Sequence, residues 1–424
     1  MKRHELKREL GLIDLTFYGI GIILGAGIYA LIGPAAGMAG NGLWISFIIA
    51  AIIASFTGLS YAELSTMFPK EAAEYVYVKN AFNEFIAFLV GWIILVSSVV
   101  GAATLALGFA GYFVSVIGGN LLFVAIASII ILSFINFYGI KESAKLNILF
   151  TLIEASGLIM IIILGLPKIT QVNVLELTHG VKGILTAAAF IFFAYIGFED
   201  IANLAEEVKD PKKNVPLALL LSLGITTLLY VLVSVSVLGL SDWRELSSSE
   251  APLAFAASKA LGDIAFNVLG LIALFATSNT LLILLIVSSR MIYGMAREGS
   301  LPKFLGKIHP RRKTPHFAVL IVAVFSILLT FFQRLEFVAN LTNFSVFLIF
   351  LMVNLSNIVL RYKKPNAKRP FRTPLNVGNF PLVSFFGLLS CGIMLSQFQK
   401  DVFIVGSVFL IIGALVYWIK NRFT

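Results

Sequence analysis

Apolar residues come along this chain in long blocks separated by short polar stretches. Runs such as 43–58 and 152–166 hold no Lys or Arg. A helix needs about 20 mostly apolar residues to cross the hydrocarbon of a bilayer. Twelve such windows stand out: 12–34, 41–66, 80–116, 120–139, 145–167, 181–206, 214–240, 258–295, 317–333, 336–361, 378–397 and 401–420. They predict an all-α polytopic membrane protein of twelve transmembrane helices. The third and eighth windows exceed one crossing, which predicts tilt or extension into water.

Composition agrees with this reading. Hydrophobic residues make up 59% of the chain and charged residues 13%, against about 25% charged in soluble domains. The net charge of +10 raises nucleic acid as a partner, but the distribution argues against it. With the N-terminus inside, the outer segments hold only Lys168, Lys182, Arg244, Lys259, Arg334 and Lys400. Arg290 lies near the inner end of span eight, and every other Lys and Arg falls in an inner segment. That asymmetry follows the positive-inside rule, so the basic balance is spent on orientation. A multi-pass protein of the cell membrane with both termini cytoplasmic is expected, its basic loops facing lipid headgroups. The basic N-terminal stretch runs straight into window 12–34 with no small-residue cleavage site, which reads as a first span and not a signal peptide. The single cysteine, Cys391, excludes an internal disulfide and reads as a buried thiol.

Two windows are interrupted. Span one carries Gly19, Gly21, Gly25 and Gly27 within nine residues, and each interior glycine costs a helix about 1 kcal/mol relative to alanine. Close helix packing is the plain alternative. Span six places Gly197, Glu199 and Asp200 inside an apolar segment, where a charged residue costs about 2.5–3.5 kcal/mol at the bilayer centre. These segments open two blocks of five helices, and an interrupted segment at matching positions of two halves points to an inverted-repeat transporter site. Unwinding frees backbone groups that are costly in lipid but useful beside a cavity. Freed amides at a half-helix N-terminus suit a carboxylate, and freed carbonyls at a half-helix C-terminus suit an ammonium. A free amino acid carries both.

The residues also resemble a known family. Its marks are Gly25-Ala26-Gly27-Ile28-Tyr29, Tyr61-Ala62-Glu63-Leu64 with Phe68-Pro69, Glu74-Tyr75-Val76-Tyr77 with Gly91-Trp92, and Phe193-Ala194-Tyr195-Ile196-Gly197-Phe198-Glu199. The stretch 206–216, the stretch 289–302 and Arg369-Pro370-Phe371 complete them in order. The chain resembles the amino acid–polyamine–organocation (APC) superfamily, in particular amino acid permeases like the cationic amino acid transporters. The resemblance implies a LeuT-type five-plus-five inverted repeat plus two C-terminal helices. The transport core would be 1–361, with repeats at about 12–167 and 181–361, followed by a loop and two helices in 362–424.

It also implies site roles. The amides around Gly25, Ala26 and Gly27 would hold the substrate carboxylate, and the carbonyls of Ile23, Phe193 and Ile196 its amino group. Ile28, Ala194, Gly197 and Phe198 would line the same place. Phe193 matches an aromatic gate and Glu199 an acidic position coupled to it, although in a chain with 37 Phe a core aromatic is as ordinary a reading. Proton-coupled relatives often carry a lysine in mid-span five, where this chain has Glu154. A buried carboxylate favours its protonated form, so Glu154 remains a candidate coupling group, against the reading of a carboxylate satisfied by Ser, Thr or backbone. Ala72-Ala73 replaces the usual Gly-Gly before Glu74. A sodium site would need hydroxyls of span eight, Thr277, Ser278 or Thr280, to face the break in span one. Arg290 either snorkels to lipid phosphate or pairs with Glu63 or Glu206.

The expected function is secondary transport of amino acids by alternating access, as proton symport or as exchange of amino acids or polyamines. A membrane enzyme is disfavoured, because all four histidines fall in loops or tails and nothing beside Glu199 and Asp200 completes a catalytic set. A channel would need a filter-like repeat, which is not seen. No cofactor and no metal are expected. The expected partners are an amino acid, protons and the bilayer. The apolar lining at Ile28, Phe193 and Phe198 favours neutral substrates, while an inward-pointing Glu199 would admit cationic ones. Oligomeric state is left open.

Overall fold

The computed structural model describes residues 10–68, 73–138, 144–203, 208–297, 301–312 and 314–423. Pro69, Ala72, Glu206 and the 298–300 portion of the motifs lie outside these residues. Span one is two helices, α1 (Leu12–Leu24) and α2 (Gly27–Ala39), followed by α3 (Leu43–Met67), α4 (Ala73–Ala81), α5 (Glu84–Ile117), α6 (Leu121–Tyr138) and α7 (Ala144–Gly165). Span six is α8 (Gly180–Ile191), a 3₁₀ turn at Phe192–Tyr195 and α9 (Asp200–Asn203). Then come α10 (Pro211–Leu240), α11 (Trp243–Ser247), α12 (Pro252–Arg297), α13 (His316–Thr330) and α14 (Leu335–Lys363). A hairpin of β1 (Asn376–Val377) and β2 (Phe380–Pro381) precedes α15 (Leu382–Leu395) and α16 (Lys400–Phe423). With α1–α2 and α8–α9 each taken as one, the described residues hold twelve apolar segments. The protein is an all-α polytopic membrane protein.

The two overlong windows resolve differently. Window 80–116 contains the end of a separate helix, α4, and all but the last residue of α5. The Asn83 side chain accepts from the Ile86 N–H at 3.0 Å and so starts α5 afresh. Window 258–295 begins inside α12, which starts at Pro252 and is interrupted at Gly262, where φ is +69°. Helices α13 and α15, of 15 and 14 residues, span only about 22 and 21 Å. They fall short of a bilayer core of about 30 Å, which thinning or flanking residues must accommodate.

The long helices form the frame. α12 packs on α5, α10 on α3, α14 on α5, and α1 on α10. Lipid supplies no hydrophobic drive between helices, so side-chain bonds to foreign backbone matter more. Tyr112 of α5 donates to the Tyr29 carbonyl at 2.9 Å, Asn136 of α6 to the Leu285 carbonyl at 3.2 Å, and Ser326 of α13 to the Val99 carbonyl at 3.2 Å. Leu, Ile and Phe facing outward, such as Ile13, Phe123 and Ile404, are the surface a bilayer would wet.

Candidate functional site

Both interrupted spans are broken where the glycines lie. α1 ends at Leu24 and α2 begins at Gly27. The Ala26 N–H donates to Thr280 Oγ1 of α12 at 3.2 Å. The amides of Gly27 and Ile28 open α2. Gly27 brings the two breaks close together: a Cβ there would lie 2.7 Å from the Ala194 Cα.

In span six α8 gives way to the turn Phe192–Tyr195, then Ile196 is extended with ψ 137°. Gly197 has φ +114°, and a Cβ there would stand 2.2 Å from Ile22 Cγ2. Only glycine meets both demands. The Glu199 carboxylate turns back on its own loop, accepting from the Gly197 N–H at 2.9 Å.

The freed carbonyls are not all open. Tyr230 of α10, fully buried, donates to the Ile23 carbonyl at 2.6 Å and lies 3.0 Å from that of Ala194. One hydroxyl therefore spans the carbonyl side of both breaks. Asn343 of α14 donates to the Ala189 and Phe190 carbonyls at 2.9 and 2.7 Å, capping α8, while its own Oδ1 is buried without a partner. The Phe193 carbonyl accepts from the Ile196 N–H at 3.3 Å.

Of the residues singled out in the sequence, Ile23, Gly25, Ala26, Gly27 and Ile28 flank the first break, and Phe193, Ala194, Ile196, Gly197 and Phe198 make the second. The side chains of Ile23, Ile28, Phe193 and Phe198 are buried. The Thr277 and Ser278 hydroxyls bond carbonyls of α12 itself, Ala273 and Leu274 for Thr277 and Phe275 for Ser278. Thr280 alone of the three reaches span one. Glu154 is buried beside α2, since the Tyr29 hydroxyl donates to its backbone carbonyl. Its carboxylate meets Asn279 Nδ2 at 3.5 Å, in place of the Ser, Thr or backbone partner considered above. Among the described residues no group of three His, Cys, Asp or Glu could hold a metal.

Arg290 is exposed, and the pairing with Glu63 fails because Glu63 is already taken. Glu63 of α3 accepts from Arg361 Nε and Nη2 at 2.7 and 2.6 Å and from the Thr373 N–H at 2.8 Å, with Arg369 Nε at 3.2 Å.

Sequence reasoning missed Tyr230 and Asn343. Each is a polar side chain on a mostly apolar helix, and such groups must find partners. That signal was present, although it names no partner.

The sequence profile of the amino acid permease family matches residues 10–420. The chain is 29% identical over 440 residues to the branched-chain amino acid permease BcaP of Bacillus subtilis, covering 99% of this chain and 94% of that one. It is 29% identical over 442 residues to the methylthioribose transporter of the same organism, covering 99% and 95%. It is 30% identical over 394 residues to the vacuolar cationic amino acid transporter 4 of Arabidopsis thaliana, covering 86% and 65%. Two helices broken against each other, and a match to the permease profile over nearly the whole length, lead to one conclusion: this chain belongs to the amino acid permease family of the APC superfamily and is a transporter, not an enzyme.

Proposed function

We propose that the two breaks form the amino acid site, worked by alternating access in symport with protons across the cell membrane. The observation that carries this is the division of labour around the breaks. The amides of Gly27 and Ile28, which open α2, lie on one side, and the Tyr230-capped carbonyls of Ile23 and Ala194 on the other. An α-carboxylate fits the first group. An ammonium fits the second once Tyr230 yields one of its two acceptors. In this reading residues 12–167 and 181–361 are the two inverted repeats, with α15 and α16 outside the core. The basic end, which holds Lys79, Lys209 and Lys364, is the cytoplasmic one, and both termini lie there.

A neutral apolar side chain is the proposed substrate class. Ile28, Phe193 and Phe198 are apolar, Glu199 is turned onto Gly197, and Glu154 is engaged with Asn279. No carboxylate is thereby offered to a cationic side chain at the breaks. The name of the branched-chain relative supports the same class. Reconstituted protein should take up leucine in preference to arginine when an acid-outside pH gradient is imposed. Glu154→Gln should abolish that drive while leaving leucine–leucine exchange intact. Gradient-independent uptake by the unmodified protein, or preference for arginine, refutes the corresponding part.

A further inference from the structure

The basic end holds a second polar cluster, which adjoins the far end of the second break. Helix α4 packs against α5 and α14 and carries Glu74, which is 7% exposed. Tyr61 of α3 donates to Glu74 Oε1 at 3.1 Å. The Tyr61 ring stands edge-on to both Tyr77 of α4 and Phe198 of the broken segment, at 6.2 and 6.1 Å. The Tyr77 hydroxyl is buried, meets no partner among the described residues, and lies within electrostatic reach of Glu74. Glu199 and Asp200 act on the same carboxyl from span six.

No Lys or Arg of the described residues pairs with Glu74 or Glu199. The cations near α4 are engaged at its other end: Lys363 bonds the Ala81 carbonyl, Lys364 bonds Asn80, and Lys79 faces Glu84. Burial first, and then the charge of Asp200, push the Glu74 carboxyl up to about 7, against bonds from its own backbone and from Tyr61. A buried acid facing two further acids, with an unpaired hydroxyl nearby, is well solvated only when it carries a proton.

We propose that Glu74 is a proton site that latches the basic end of the molecule. With a proton on Glu74, α3, α4 and the segment at Phe198–Asp200 stay packed together. When the carboxyl gives that proton to water at the basic end, a negative charge is left facing that of Asp200, and the segment from span six moves away from α4. The ligand is the proton itself, and the site gates the end through which solute would leave.

A distance measurement tests this without any solute, so it stands or falls apart from the transport reading. Spin labels go on Lys79→Cys and Lys209→Cys, two exposed positions on α4 and after α9, in the full chain in lipid; Cys391 is buried and does not compete. Between about pH 6 and about pH 8 the distribution should shift to longer distances, with a midpoint near that of the carboxyl. Glu74→Gln should hold the short distance across the range. Tyr61→Phe removes a donor that favours the carboxylate, so it should move the midpoint to higher pH. A shift in Glu74→Gln like that of the unmodified protein overturns the proposal, as does no shift at all in the unmodified protein, or a Tyr61→Phe midpoint that stays put or falls.

Discussion

At the scale of single residues, Gly197 and Tyr230 decide the geometry of the breaks. Gly197 combines a left-handed φ with a contact that leaves no room for a Cβ. Gly197→Ala should cost about 1–3 kcal/mol from the backbone alone, and Ile22→Ala should recover only the steric part. A thermal-shift comparison of the single and double variants checks this. Tyr230 touches carbonyls of both breaks. Tyr230→Phe keeps the ring packing but leaves those carbonyls without their donor, which should cost on the order of 1 kcal/mol in stability. Leucine uptake should fall roughly tenfold, the equivalent of about 1.4 kcal/mol. The glycines were legible because they are the residues a helix least tolerates. Tyr230 was not, because its role depends on where α10 lies across α1 and α8.

At the scale of elements, the ends of broken and unbroken helices are held by charges and amides from elsewhere. Glu63 sits at the centre of a buried knot in which the end of α14 and the following loop meet α3. Removing a buried charge strands its partners, at a cost of about 3–5 kcal/mol. Glu63→Gln should therefore lower yield and melting temperature sharply, and adding Arg361→Met should restore part of the loss, as read by size-exclusion profiles and melting in detergent. Asn343 performs a similar service for α8. Asn343→Leu should remove the side-chain donor from the Ala189 and Phe190 carbonyls, and hydrogen exchange should then rise in residues 190–196, the turn that follows. Span boundaries followed from apolar length. The splitting of α4 from α5 and the bend at Gly262 did not, because the first rests on the Asn83 cap and the second on a left-handed φ, neither of which apolar length reports.

At the scale of the whole molecule, burial of acids makes stability depend on pH. Glu74 has a carboxyl pushed from its ordinary 4.5 up to about 7, so the folded state binds its proton more tightly than the unfolded chain does. The stabilisation is full below 4.5 and is lost as the pH climbs through about 7. Glu74→Gln lacks this term, so the melting temperature of the unmodified protein should fall relative to the variant across that window and run parallel above it. Melting curves of both proteins across the same pH series check the sign. The proton that stabilises the fold is the same one proposed to hold its basic end closed.

Sequence alone determined that this chain is a bundle of apolar helices and where two helices lose their winding. Each is a local property: apolar length and glycine content need no knowledge of neighbours. Tertiary structure alone decided which carbonyls are capped, that Thr280 and not Thr277 or Ser278 reaches span one, and that Glu63 belongs to Arg361 and Arg369. Those facts depend on the rotation and register of helices packed side by side, which apolar periodicity constrains weakly when nearly every face is apolar.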